Sequence, residues 1–363
     1  MTASAMLTIS RLHRRHARLV QCVHMSTRLF RSTFLFLFCT CFLLPVHAQQ
    51  TRATPKPVSK ASTAAVKPKS TTTTAKPATA KPKSTPKPTP RPQLPKPPTW
   101  SGGEPQITAR AAVLFDANTG KILYAKNRDM QMPVASTQKL LTALVVCDAG
   151  NLDRRVTITE ADTQVAPTKL PLRRGETFTR RQLIDILLVK SCNDVAAALA
   201  RDNAGSIEAF STRMNVRAER TGARSSHFIN PHGLPDPLQY STARDMACIA
   251  RAAYANPVLR RSMATRTLVV PRGEGRTVTL KNTNRVLHSY SFCNGMKTGY
   301  TIAAGRCLIS SASLNGRDVI AVVLGAQKHT VWHESLYLLA YGLDIPPERL
   351  STYRVAPLNI GEE

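Results

Sequence analysis

Residues 136–147, STQKLLTALVVC, are apolar at helical spacing and at most of the remaining positions as well. A surface helix carries one apolar stripe, whereas a helix apolar on nearly every side is enclosed by other elements. This segment therefore demands a domain with chain on all sides of it. Residues 107–115 and 121–126 are apolar-rich stretches about Asp116-Ala117-Asn118-Thr119-Gly120 and read as a hairpin. Residues 179–189 and 194–201 read as helices, interrupted by Lys190-Ser191-Cys192-Asn193; residues 206–221 and 242–253 read as two more. Ser241-Thr242 with Asp245 offers an acidic first turn and a capping box. Residues 307–314 and 318–324 flank Asn315-Gly316, the strongest short-range hairpin signal, and residues 331–341 read as a closing helix. Strands at both ends with helices between predict an α/β (α+β) fold, one antiparallel sheet flanked by helices.

The first hundred residues cannot belong to that domain. Of the formal net charge of +28, residues 1–100 contribute +17 without one acidic residue. Within them TFLFLFCTCFLLPV (33–46) is too short for a confident membrane span; Arg28 and Arg31 precede it and Val46-His47-Ala48 closes it. That is the pattern of a secretory signal peptide over residues 1–48, with Met25 the more conventional start; an uncleaved anchor is the rival. Residues 49–104 form a Pro/Lys/Thr-rich linker. Between 51 and 100 lie 12 of the 25 prolines and 11 basic residues, with almost nothing large and apolar to bury. A spacer is the plain reading, and an electrostatic grip on an anionic envelope polymer the sharper one. Residues 105–345 are the folded domain and 346–363 a C-terminal tail. Export to the periplasm or cell wall follows, with the N-terminal segment as the candidate tether.

Beyond the leader the cysteines are Cys147, Cys192, Cys248, Cys293 and Cys307, an odd number with no CxxC spacing, which argues against a disulfide framework or zinc site. The nine His offer no HExxH, and His329 and His333, four apart, have no carboxylate nearby to complete a ligand set.

GxSxG is absent, so the usual nucleophile elbow is not present. Instead Ser136-Thr137-Gln138-Lys139 places a hydroxyl and an amine on one helical face. A serine attacks a carbonyl only if something takes its proton. A neutral lysine can do so when burial and a second cation lower its pKa. A helix N-terminus also aims N–H groups at developing negative charge. SxxK alone is weak, and Ser84-Thr85-Pro86-Lys87 in the linker is a decoy, as Ser313-Leu314-Asn315 is for SxN. Order and context discriminate. SxxK opens the core helix, Ser191-Cys192-Asn193 follows 55 residues later between two helices, and Lys297-Thr298-Gly299 another 106 residues on.

With PVASTQKLLTAL, LLVKSCNDVAAALA, FINPHGLPDPLQYSTARDMA, KNTNRVL and NGMKTGYTIAAGRCL, the chain resembles the D-alanyl-D-alanine carboxypeptidases, low-molecular-mass penicillin-binding proteins of serine peptidase family S11. The resemblance covers about residues 107–343 and implies the β-lactamase/transpeptidase-like fold. It implies Ser136 as acyl-ester nucleophile and Lys139 as its base, with Ser191 relaying the leaving-group proton. Asn193 would bond the substrate backbone, Lys297 supply the second cation, and Thr298 hold the terminal carboxylate. Gly299 would leave room for substrate beside its strand, and backbone N–H groups of Ser136 and Tyr300 would form the oxyanion hole. The implied reaction removes the terminal D-alanine from a peptidoglycan pentapeptide stem. Penicillins and other β-lactams would trap the same serine, and neither metal nor organic cofactor is needed. Cys192, where a small residue is common, reads as a tolerated small hydrophobe. Many relatives continue into a β-rich domain and a membrane helix, for which the residues after 343 leave no room.

Three alternatives bear on this reading. A class A β-lactamase would carry SDN and a loop glutamate, and no ExxLN-like stretch lies between Ser191 and Lys297. A murein D,D-endopeptidase shares every motif. A basic envelope- or nucleic-acid-binding protein would rest on the basic stretch, whose one aromatic, Trp100 at its edge, is poor for base stacking.

Overall fold

The computed structural model describes residues 100–273 and 275–355. The signal peptide, nearly all of the linker and the end of the tail expected from sequence lie outside the described residues. Strands β1 (Ala111–Asp116) and β2 (Ile122–Lys126) form the first hairpin. β7 (Cys293–Thr301), β8 (Gly305–Leu314) and β9 (Arg317–Ala326) form an antiparallel meander. β9 returns beside β1, Ala111 opposite Leu324, so the five strands run in the order β2-β1-β9-β8-β7. One antiparallel sheet is thus assembled from both ends of the domain, as the sequence led us to expect.

The sheet is buried on both faces, which explains why β9 reads as a continuous apolar run instead of alternating. Val113, Phe115, Ile320, Val322 and Leu324 enter one core, while Leu114, Val319, Ala321 and Val323 enter the other. The first core holds α1 (Lys139–Asp148), in which every residue from Lys139 to Val146 is buried. Around it pack α2 (Arg180–Lys190), α3 (Asn193–Ala204), α4 (Ile207–Thr221) and α5 (Ala243–Ala255). Leu140, Leu141 and Leu144 are enclosed there, each stabilising the fold by about 2 kcal/mol. α6 (Pro257–Ala264) continues this layer. α7 (Arg285–Ser289) and α8 (Val331–Gly342) cover the opposite face.

Local chemistry sets the helix starts. Thr179 and Gln182 make a full capping box on α2. On α5 the expected box is only half made: Thr242 accepts the N–H of Asp245, but the Asp245 carboxylate turns away to the N–H of Ser225 and the hydroxyl of Ser226. The core helix also begins later than expected, because Ser136 lies in a 3-10 turn, Ala135–Gln138, that leads into it. Two short hairpins escaped the sequence reading, β3 (Arg155–Thr157) with β4 (Thr177–Thr179) and β5 (Thr267–Pro271) with β6 (Thr277–Lys281).

Glu334 of α8 ties the chain entering β1 to the rear layer. Its buried carboxylate accepts the N–H groups of Thr108 (2.7 Å) and Ala109 (3.2 Å) and the Thr108 hydroxyl. Glu334→Ala leaves those donors without a partner, so guanidinium unfolding should show a loss of about 2–3 kcal/mol. Glu334→Gln, which keeps an acceptor, should lose less.

Candidate active site

The turn Ala135–Gln138 sits where α1 meets the edge strand β7. Ala135 adopts a φ of +49°, a left-handed conformation unusual for a residue with a side chain, immediately before Ser136. One turn on, Lys139 is fully buried, and its Nζ touches three oxygens: Ser136 Oγ at 2.7 Å, Asn193 Oδ1 at 2.7 Å and the His232 carbonyl at 2.6 Å. Ser136 Oγ also donates to His232 O at 3.2 Å. Burial, and then the charge of Lys297, hold the Lys139 amine well below the ordinary lysine value. Asn193 Oδ1 and the His232 carbonyl can only accept. A neutral Lys139 gives them its two N–H groups and keeps its lone pair free to receive the Ser136 hydrogen once that hydroxyl turns from His232 O.

The second wall comes from the link between α2 and α3. Ser191 terminates α2 in the left-handed conformation, φ +71°, its N–H reaching Leu187 O. That reversal lets α3 start two residues later with Asn193 facing Lys139. Ser191 is 8 % exposed, and its hydroxyl has no hydrogen-bond partner among the described residues. Cys192 is buried in the core, and burial pushes its thiol up to about 12, which keeps it neutral and inert. Asn193 also donates Nδ2 to Pro167 O at 2.7 Å, and its N–H to Thr168 O at 2.8 Å. These bonds draw a strap, residues 166–172, against the SxN link. Asp194 holds the strap through the N–H of Leu170, and Arg272 of the β5–β6 hairpin through Leu170 O and Pro171 O.

The third wall is β7. Lys297 is fully buried, which brings its amine down to about 7, and its Nζ donates to Thr298 O at 2.8 Å. The hydroxyls of Thr298 and Thr283 pair at 2.6 Å. Gly299 passes so close to the nucleophile turn that a Cβ would lie 2.9 Å from Ser136 N and 3.0 Å from Thr137 N. The Ala135–Gln138 turn thus makes its own steric demand for glycine here, beside the room for substrate that the resemblance implied. Tyr300, on the same outer strand, is 54 % exposed, with the Arg306 guanidinium 4.2 Å from its ring centroid.

Sequence reasoning assigned no role to the His232 carbonyl, although PHG was part of the matched text. Gly233 explains the motif: at φ +84° a Cβ would overlap Ala135 O at 2.2 Å, so only glycine lets this loop reach the nucleophile turn. Asn230 Oδ1 accepts Gly233 N at 2.8 Å, and Gln138 donates to Asn230 O, fixing the carbonyl that Lys139 uses. Burial, and then the Lys139 charge, bring the His232 ring down to about 3, so it stays neutral. The strap has no periodic signal at all and became visible only with Asn193 in place.

A hydroxyl, an amine of depressed basicity and a side-chain amide converging inside a protein define a serine hydrolase or acyltransferase that uses lysine in place of histidine. The chain belongs to the D-alanyl-D-alanine carboxypeptidase family, peptidase family S11, whose sequence profile matches residues 99–328. It is 34 % identical over 250 residues to the D-alanyl-D-alanine carboxypeptidase DacB2 of Mycobacterium tuberculosis, covering 67 % of this chain and 85 % of that protein. A D-alanyl-D-alanine endopeptidase of Pseudomonas aeruginosa is 33 % identical over 225 residues, covering 61 % of this chain and 72 % of its own length. The crystal structure of a D-alanyl-D-alanine carboxypeptidase from M. tuberculosis superimposes with a TM-score of 0.64 at 32 % identity, covering 72 % of this chain and 99 % of that one. The fold is the β-lactamase/transpeptidase-like fold implied by the motifs.

Two outcomes follow from this geometry. Gly299→Ala forces the nucleophile turn away from β7, and acylation by benzylpenicillin should fall about 100-fold, while circular dichroism shows the fold retained. Acylation should also rise with pH as Lys139 loses its proton. In Lys297→Gln the neighbouring charge is gone, so Lys139 keeps its proton to higher pH and the acid limb of the rate profile moves upward. A limb that stays in place or moves down contradicts the coupling of the two amines.

Proposed function

We propose that this protein is an exported serine-type D-Ala-D-Ala carboxypeptidase acting on peptidoglycan stem peptides, and that Ser136 and Lys139 carry its chemistry. The observation behind this reading is the Lys139 amine, buried and bonded at once to Ser136 Oγ, Asn193 Oδ1 and His232 O. Ser136 Oγ attacks the carbonyl of the penultimate D-alanine and its proton passes to Lys139. The negative oxygen of the tetrahedral intermediate is received by the backbone N–H groups of Ser136 and Tyr300. As the C–N bond breaks, the proton reaches the amino group of the departing D-alanine through Ser191, whose hydroxyl has no competing partner among the described residues. Water, deprotonated by Lys139, then cleaves the acyl ester and restores Ser136. Thr298, beside buried Lys297, receives the terminal carboxylate, and the second N–H of Asn193 Nδ2 binds the substrate backbone.

A β-lactam enters the same cycle and stops at the ester. The leader pattern of residues 1–48 supports export, and the Pro- and Lys-rich residues that follow suit a spacer between the membrane and the domain. The resemblance to a named endopeptidase keeps cross-link cleavage as a second reading, and product mass separates the two.

Incubating the protein with a muropeptide pentapeptide should yield the tetrapeptide, one alanine lighter. Ser136→Ala should abolish both that product and the covalent adduct with a fluorescent penicillin, and turnover at the wild-type rate by this variant would sink the serine mechanism.

A further inference from the structure

Beside Asn193 the molecule carries a concentration of charge that the catalytic cycle does not use. The strap and the loop after it supply Lys169, Arg173 and Arg174, all exposed, and the β5–β6 hairpin supplies Arg272 and Arg276. Residues 166–176 and 272–276 carry these five cations and two acidic residues, Glu176 and Glu274. Glu176 is already engaged: both of its oxygens lie 2.9 Å from Arg272 Nη2. Among the described residues, Arg173 and Arg174 have no carboxylate partner for their guanidinium groups. Pro171, Arg173, Glu176, Arg272, Arg276 and Thr277 line a groove of about 260 Å³ between the two segments.

Most surface charge is simply solvated, and this cluster differs because it is anchored to a residue of the candidate site. Asn193 holds Pro167 O at 2.7 Å and Thr168 O at 2.8 Å. Arg272 clamps the far end of the strap at Leu170 O, 2.8 Å, and Pro171 O, 2.9 Å. One N–H of the Asn193 amide is spent on Pro167 O, and the other is the one that the carboxypeptidase reading gives to the substrate backbone. A substrate backbone that meets this N–H passes next to the strap, because the same amide holds Pro167 O.

We propose that the strap and the β5–β6 hairpin form a cationic lip that binds a substrate carboxylate upstream of the scissile bond, so that acidic peptides ending in D-Ala-D-Ala are the preferred substrate class. The inference rests on the carboxypeptidase reading above. Lys169, Arg173, Arg174 and Arg276 are exposed, so the effect is one of a few neighbouring charges in water and is screened by salt.

The test compares two acetylated peptides ending in Lys(acetyl)-D-Ala-D-Ala that differ only in a preceding Glu or Gln, scored by D-alanine release. In low salt the Glu peptide should show about three- to tenfold higher kcat/KM, through KM, and most of this advantage should vanish at about 0.5 M NaCl. The double variant Arg173→Gln, Arg174→Gln should bring the Glu peptide down to the Gln peptide and leave the Gln peptide unchanged. Equal turnover of the two peptides by the unaltered protein overturns the lip and leaves the carboxypeptidase reading intact, as does a Glu preference that survives the double variant. Release from neither peptide overturns both.

Discussion

Everything in the site depends on keeping one amine dry. A lysine side chain in water is an ammonium ion and useless as a base. In the proposed mechanism Lys139 can serve as a base because α1 is surrounded on all sides, so its charge is stripped of solvent and then opposed by a second buried amine. That enclosure explains the fold: a central helix apolar on every face, helices packed around it, and a sheet with two buried faces behind. It also explains why the polar atoms near Lys139 are those that can satisfy it in either protonation state. Two pure acceptors hold two hydrogens, and the third position alternates between donating to and accepting from Ser136.

The architecture then divides labour by rigidity. Asn193 and Ser136 are carried at helix starts, Lys297 and Gly299 on a strand, and the His232 carbonyl on a loop. The loop is made rigid by Asn230 and Gln138 and by a glycine that lets it lie against the turn. No single element holds more than one wall of the site, so its geometry is a property of the packed domain.

Much of this was legible beforehand. The sheet from both ends and the core helix follow from period and turn chemistry, which act over a few residues, and the three motifs stood out by their order and by the family resemblance. What stayed hidden acts over distance. The His232 carbonyl is a backbone atom and bears no residue signature. The strap around Pro167 has no periodicity and is defined by its bonds to Asn193, 26 residues away. Asp245 looked like half of a capping box, yet its carboxylate serves Ser225 and Ser226, because tertiary partners outcompeted a local one. The start of α1 lies one turn later than expected: Ser136, bonded to His232 O and Lys139, sits in the 3-10 turn that precedes the helix.

The sheet is stitched from the two ends of the domain, and this imposes a schedule. β1 finds its neighbour β9 only after some two hundred intervening residues have been made, and such distant pairing forms late. A chain emerging N-terminus first therefore carries Ser136 and Lys139 long before Lys297 and Gly299 exist to seat them. Until then Lys139 has neither its charged neighbour nor a closed interior, the two causes that lower its basicity in the folded domain. On the proposed mechanism, reactivity therefore arrives only with the completed domain.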